Sequence, residues 1–234
     1  MKKLLISDYD HTLNNGGISS EDLRKARDFI DAGNVLVVAS SRTWPSLSSE
    51  MTRYKFPYSY LSCANANAIY DQNGQLIYIN TLTPEEKSLI QTLSSKVKNI
   101  QGIDAYGEYS IDKILYYQLL LEQDKQFAQE ILPFLVKYNL EADYYGNASY
   151  IFSGRKQKDF AGTLIGLRHF ILTDNIFTIG DGLNDLSMIE KYNGFTLPWG
   201  NQELKSRALE EVDSFGELVE KIEKGTCLVK RRLK

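Results

Sequence analysis

The feature that most restricts the fold is Val35–Ala39, five apolar residues with no polar break. A half-exposed strand would alternate apolar and polar positions, so an unbroken run belongs to a strand covered on both faces, as in a parallel sheet. Residues 4–7 form a second short apolar strand. Between the two, Leu23, Ala26, Phe29 and Ile30 follow helical spacing from Ser19 until Gly33 ends the helix. Strand, helix and strand in this order require a right-handed crossover. The predicted fold class is α/β with an open parallel sheet.

Further along, residues 68–70 and Leu76–Ile79 are rich in strand formers, and Asn73-Gly74 between them is a strong hairpin signal. Thr83, Pro84 and Glu86 supply a capping residue, a first-turn proline and a reciprocal acid ahead of Leu89, Ile90 and Leu93, which marks a new helix. From there to about residue 154 the texture changes. Tyrosine-rich segments at 116–121 and 144–152 alternate with helical stretches, one of them near 127–138, where Pro133 should kink or shorten the helix. This predicts an inserted α+β module with an antiparallel sheet. After Lys158 the strand and helix alternation resumes, with a helix through Leu164 and Leu167 and a strand at 176–179.

At 234 residues the chain can bury a sizeable core without a metal or disulfide staple. Hydrophobic residues at 43% and charged residues at 24% argue against a disordered chain and against a membrane protein. The net charge of -3 provides no broad positive field, so nucleic acid is not an expected partner. The local basic group Lys230, Arg231, Arg232 and Lys234 reads as a solvated tail. The apolar stretch 4–6 is too short for a signal peptide, and no later run approaches transmembrane length. Cys63 and Cys227 form neither a metal-ligand pair nor a disulfide framework, so a reducing compartment, the cytoplasm, is expected. Oligomeric state is left open.

Two acidic loops carry the chemistry. Asp8-Tyr9-Asp10-His11-Thr12 directly follows the first strand, and Gly180-Asp181-Gly182-Leu183-Asn184-Asp185 follows a later one. Ligands of open parallel sheets collect at the carboxyl ends of strands, so the two loops can meet in one crevice. Four carboxylates converging there would repel one another unless a cation sat among them, and all-oxygen ligands favour Mg²⁺ over zinc. Either motif alone is weak. Both together, each after a strand and in this order, reduce coincidence to about one in a thousand or less.

With these motifs the chain resembles the haloacid dehalogenase superfamily of phosphohydrolases, over most of residues 1–209. Ser40, in Ala39-Ser40-Ser41-Arg42, falls where that family has a phosphate-binding Thr or Ser, and Lys158 falls where it has a phosphate-binding lysine before a helix. The insertion between them is similar to the type IIB cap of many sugar-phosphate phosphatases. The resemblance implies a doubly wound, Rossmann-like core from residues 1–82 plus 155–234 and a mobile α+β cap from 83–154. It departs from the pattern at His11 and Ser41, where glycine is common, at Asn65-Ala66-Asn67, where Asn-Gly is frequent, at 198–201, which lacks the usual methionine, and after Val212.

What the resemblance implies for function is a Mg²⁺-dependent phosphatase, a phosphoric monoester hydrolase acting on small phosphorylated metabolites, sugar phosphates above all. Asp8 would attack phosphorus and form an aspartyl-phosphate, while Asp10 protonates the leaving group and later activates water. Mg²⁺ would be held by Asp8, the carbonyl of Asp10 and Asp181, with Asn184 and Asp185 supporting the metal site. Ser40, Lys158 and Thr12 would bind the phosphate oxygens. A phosphotransferase or phosphomutase with the same intermediate, or a catalytically quiet phosphometabolite-binding regulator, remains the alternative. Arg155 or Lys156 could stand in for Lys158. His11 and His169 are expected to be structural. The pairs Tyr116-Tyr117 and Tyr144-Tyr145 are expected to pack the sheet, with stacking on a sugar as the other reading.

Overall fold

The computed structural model describes residues 1–122, 124–145 and 148–230, which form an eight-stranded and a four-stranded sheet. β1 (Leu4–Asp8) lies in the interior of the larger sheet. α1 (Ser20–Asp31) follows, capped by the Ser19 hydroxyl, which accepts from the Asp22 N–H. β2 (Val35–Ala39), α2 (Trp44–Tyr54) and β3 (Tyr60–Cys63) extend the parallel sheet to one side. The antiparallel hairpin of β4 (Ala68–Asp71) and β5 (Leu76–Ile79) completes that edge. Its turn needs the left-handed backbone of Gly74, at φ +77°, to close the Gly74 N–H onto the Asp71 carbonyl.

The chain then leaves the sheet. α3 (Pro84–Gln91) opens with the anticipated capping box, in which Thr83 Oγ1 accepts from the Glu86 N–H at 3.1 Å and Glu86 Oε2 from the Thr83 N–H at 2.8 Å. β6 (Asn99–Ile103) and β7 (Tyr116–Leu120) follow. Next come α4 (Asp124–Gln126), a π-helical turn (Phe127–Ile131) and α5 (Leu132–Tyr138). Pro133 sits in the first turn of α5, a segment shortened to seven residues as expected, with the regular ladder interrupted just before it. A proline clashes with the carbonyl four residues back, and the wider turn just before α5 relieves that clash. β8 (Leu140–Tyr145) and β9 (Ala148–Ser153) complete an antiparallel sheet in the order β6-β7-β9-β8.

The return path is α6 (Asp159–Arg168), β10 (Ile176–Gly180), α7 (Leu186–Lys191), β11 (Asn193–Thr196), α8 (Gln202–Arg207), β12 (Glu210–Glu211) and α9 (Phe215–Lys224). Strand order in the larger sheet is β12-β11-β10-β1-β2-β3-β4-β5. Leu4, Ile6, Val35, Val37 and Ala39 pack in one cluster and Leu5, Leu36 and Val38 in another, so helices cover both faces of this sheet. The fold is a doubly wound α/β core carrying an inserted α+β cap.

The segment after Val212, where the family pattern fades, is well packed. Phe215, Leu218, Val219 and Ile222 of α9 enter the core, and the Gly216 N–H donates to Asp22 Oδ1 at 2.7 Å. At the tail, the Lys230 N–H donates to Asn193 Oδ1 at 2.8 Å; Arg231, Arg232 and Lys234 lie outside the described residues. Among the described residues, no helix is long and apolar enough to cross a membrane.

Candidate active site

The direction of chain progression reverses between β1 and β10, which pair in parallel. At such a switch point the two outgoing loops diverge and leave a crevice at the carboxyl ends of the strands. Asp8 is the last residue of β1 and is only 5% exposed. Lys158, just before α6, is fully buried beside it, and its Nζ donates to Asp8 Oδ1 at 2.5 Å and to Asp185 Oδ1 at 2.6 Å. The other Asp185 oxygen accepts from the Asp181 and Gly182 N–H groups, each at 3.0 Å, which folds the loop after β10 back on itself. Only glycine fits at position 180, because a Cβ there would lie 2.5 Å from the Asp185 carboxyl carbon.

Carboxylate oxygens of Asp8, Asp181 and Asp185 lie within 4.8 Å of one another. Burial raises the Asp8 carboxyl above its ordinary value, with Asp185 adding to the shift and Lys158 opposing it. Burial and Asp185 likewise raise Asp181. Burial acts against the Lys158 charge, but Asp185 and Asp8 together overcome it and hold this lysine above its usual value. Three carboxylates around one ammonium leave an excess of negative charge among oxygen-only donors. A hard divalent cation fits that deficit.

Of the four carboxylates expected to converge, Asp10 does not join the cluster. Both its oxygens are taken by Arg42, whose Nε donates to Oδ2 at 2.8 Å and Nη2 to Oδ1 at 2.7 Å. Such a fork fixes both position and orientation of a carboxylate. Sequence reasoning gave Arg42 no role; the available signal was a cation two residues beyond Ser40 on the same strand-exit loop. Ser40 itself is buried, its Oγ accepting from the Arg42 N–H at 3.1 Å and lying 3.5 Å from Asp10 Oδ2. Thr12 differs from expectation: its single hydroxyl proton goes to Asp181 Oδ1 at 2.8 Å, so here it buttresses the acidic cluster instead of offering a donor to phosphate. Asn184 is exposed at the rim, its Oδ1 crowding Gly182.

His11 has φ +59°, and its carbonyl accepts from Trp199 Nε1 at 2.7 Å. A left-handed backbone explains why glycine is common at this place. His169 bonds Tyr60 and Lys2 at the amino ends of β3 and β1, the opposite end of the sheet from Asp8. Arg155 ties the two chain connections of the cap together through Glu86 and the Thr81 carbonyl, and Lys156 lies over the Phe160 ring. Neither replaces Lys158.

The cap reaches the crevice through one sheet face. Pairing aligns Glu141 with Phe152, Tyr116 and Ile103, and Asp143 with Tyr150, Gln118 and Gln101, so these share a face. The opposite face, with Tyr117, Leu119 and Ile151, packs on the cap helices. Asn65 Nδ2, from the loop after β3, donates to Glu141 Oε2 at 2.6 Å. The two residues line a cavity of about 270 Å³ with Lys158, Asn184, Ser187 and Glu190. Of the tyrosine pairs, Tyr116 packs edge-on to Tyr150 and Tyr144 stacks on Phe127 at 4.2 Å, while the side chain of Tyr145 lies outside the described residues.

A family model described as haloacid dehalogenase-like hydrolase matches residues 5–163. A protein of Mycoplasma capricolum subsp. capricolum is 23% identical, covering 93% of this chain and 99% of its own length. Among solved structures, TM0651 from Thermotoga maritima superposes with a TM-score of 0.77 at 18% identity, covering 94% of this chain and 97% of that one. A HAD subclass IIB sugar phosphatase superposes with a TM-score of 0.73 at 14% identity, covering 97% of this chain and all of the other. The family match extends from the first strand past Lys158, more than half of the chain, and with it this protein belongs to the haloacid dehalogenase-like hydrolases.

Proposed function

We propose that the protein is a Mg²⁺-dependent phosphatase that hydrolyses small phosphorylated metabolites, sugar phosphates in particular, through an aspartyl-phosphate on Asp8. The observation that carries this reading is the buried Asp8 carboxylate at the end of β1, held by Lys158 and within 4.8 Å of Asp181 and Asp185 oxygens. An Asp8 oxygen attacks phosphorus in line, the bond from phosphorus to the ester oxygen breaks, and Asp10 delivers a proton to the departing alkoxide. Asp10 then takes a proton from water, which attacks the same phosphorus; the Asp8 oxygen leaves and inorganic phosphate is released. Lys158 and Ser40 neutralise and hydrogen-bond the equatorial oxygens of the transferring group. Arg42 orients Asp10.

Asp8, Asp181 and the Asp10 carbonyl would hold the cation, with Asp185 and Asn184 supporting them. When bound, it offsets the negative charge shared by nucleophile and phosphate. The division of labour we assign is residues 1–82 plus 155–234 for chemistry and 83–154 for covering the crevice. Cys63 and Cys227 are free thiols, which supports a reducing, cytoplasmic setting. The test is phosphate release from a panel of phosphorylated sugars, polyols, nucleotides and cofactors with Mg²⁺. Turnover that stops with EDTA and returns with Mg²⁺ is expected; hydrolysis that persists in metal-free buffer defeats the metal assignment, and no phosphate release from any ester defeats the function.

A further inference from the structure

α6 ends in a turn where the Ile171 N–H donates to the Gly166 carbonyl at 2.8 Å and the Phe170 N–H to the Leu167 carbonyl at 3.2 Å. This pairing stops a helix by turning one residue left-handed, a place that glycine or asparagine normally takes because a Cβ there crowds the following carbonyl. Here the residue is Phe170, at φ +55°. Its ring is not drawn inward in return. Phe170 is 94% exposed, and Leu167 and Leu172, on either side of it in the chain, are 73% and 69% exposed. The position holds a residue that suits neither the local backbone nor the core of its own chain.

Beside this projection lies a recess. Gly162, Gly166, Leu167, Ile171, Ile176 and Tyr192 line a groove of about 260 Å³ along α6. A dry cavity of about 150 Å³ already accepts benzene, so a phenyl ring fits. The polar side chains of the wall bond among themselves and to Asp159: Lys191 Nζ donates to Thr163 Oγ1 at 2.9 Å and to Asp159 Oδ2 at 2.6 Å, the Thr163 and Tyr192 hydroxyls lie 3.0 Å apart, and Tyr192 Oη donates to the Asp159 carbonyl at 2.9 Å. The walls therefore offer mainly carbon, which suits an apolar guest. Leu167 and Ile171 belong both to the groove and to the turn that carries Phe170, so projection and recess adjoin.

We propose that this face is the contact surface of a two-fold symmetric homodimer, in which Phe170 of each copy seats in the α6 groove of the other. A two-fold contact presents one patch to itself, so it needs a projection and a recess side by side on the same surface. The turn after α6 supplies both. Scaling the three exposures by side-chain areas of about 150–250 Å² gives an apolar patch of roughly 350–600 Å² per copy. Doubled across the axis, that is roughly 700–1,200 Å² before the groove walls are counted, which reaches the size of a specific interface. Association here leaves the active-site crevice open, because His169, in the same turn, bonds residues at the amino ends of β3 and β1.

The test is sedimentation equilibrium of the full chain from about 0.1 to 100 μM, comparing the parent with Phe170→Gly and Leu167→Lys. The parent is expected to dimerise with a Kd of about 10 μM or tighter. Phe170→Gly should weaken association at least about a hundredfold, and Leu167→Lys at least about tenfold. Because glycine suits the left-handed backbone and the ring touches little of its own chain, the Phe170→Gly monomer should melt no lower than the parent, both measured at about 0.1 μM. A parent that stays monomeric to about 100 μM overturns the inference, as does a dimer whose affinity either substitution leaves unchanged. Assemblies that keep growing with concentration would mean a head-to-tail contact and overturn the two-fold arrangement. A lower melting temperature for the Phe170→Gly monomer would show that the ring serves its own chain, which also overturns it.

Discussion

In the eight-stranded sheet, β1, β2 and β10 are buried along their whole length, with helices on both faces. In the four-stranded sheet only one face packs on its own helices, and the other, with Glu141, Gln118 and Tyr150, turns toward the core. The difference teaches where each task can reside. Asp8 and Lys158, to which we assign the chemistry, are buried and bonded to each other, which suits chemistry that tolerates little displacement. That second face is committed at Ile103, Tyr116 and Phe152, which are buried with the core, while its half-buried polar positions such as Glu141 and Gln118 can change without emptying a hydrophobic cluster, which would suit discrimination among ligands.

The largest expected effect tests the core side of this contrast. Asp8→Asn should lower phosphate release by at least about a thousandfold, since the attacking oxygen is lost, while the far-ultraviolet circular dichroism is unchanged. Retained turnover would mean that the chemistry is elsewhere.

Next in size, Lys158→Met leaves the Asp8 and Asp185 carboxylates facing each other without their ammonium. Breaking such a buried pair should cost roughly 3–5 kcal/mol in urea unfolding of the metal-free protein, and Mg²⁺ should recover part of it. A smaller loss would show that the core tolerates charge better than its burial implies.

Ile151→Ala probes the cap, where the side chain is fully buried in the cluster beneath the helices. A loss of about 2–5 kcal/mol is expected. Amide exchange should accelerate in β6, β7, β8 and β9 and stay slow in β1, β2 and β10. Uniform acceleration would show that the two sheets unfold as one unit.

The smallest effect lies at the far end of the core sheet. Burial, with Lys2 and Arg168 nearby, lowers the pKa of His169 from 6.5. The unfolded chain then binds the proton more readily than the native one, so stability falls as pH drops below 6.5 toward the native value. His169→Gln should flatten the melting temperature over that window without altering kcat/KM. A change in turnover would link this end of the sheet to the site.

Much of the fold was legible in the residues. Val35–Ala39 reads as a doubly covered strand and is one, Ser19 and Thr83 cap the helices they precede, and Asn73-Gly74 turns a hairpin. Each of these signals lies within a few residues of its consequence. The site was legible where residue type and strand end coincide, as for Asp8, Asp181 and Asp185, whose carboxylate oxygens lie within 4.8 Å of one another, and for Lys158, which bonds Asp8 and Asp185. Arg42, Asn65 and Glu141 were not. An arginine, an asparagine and a glutamate in loops and strands are ordinary in any sequence, and only their partners make them notable.

The sequence by itself determined the parallel class of the core sheet, the strands and helices flanked by clear caps and turns, and the two acidic loops, because hydrophobic period, capping and turn chemistry act between near neighbours. Tertiary structure alone decided that Asp10 faces Arg42 and not the acidic cluster, that Thr12 bonds Asp181, and that Glu141 on β8 meets Asn65 after β3. Those outcomes depend on how strands far apart in the chain register and cross, and a hydrogen bond between distant side chains leaves no local pattern from which to read it.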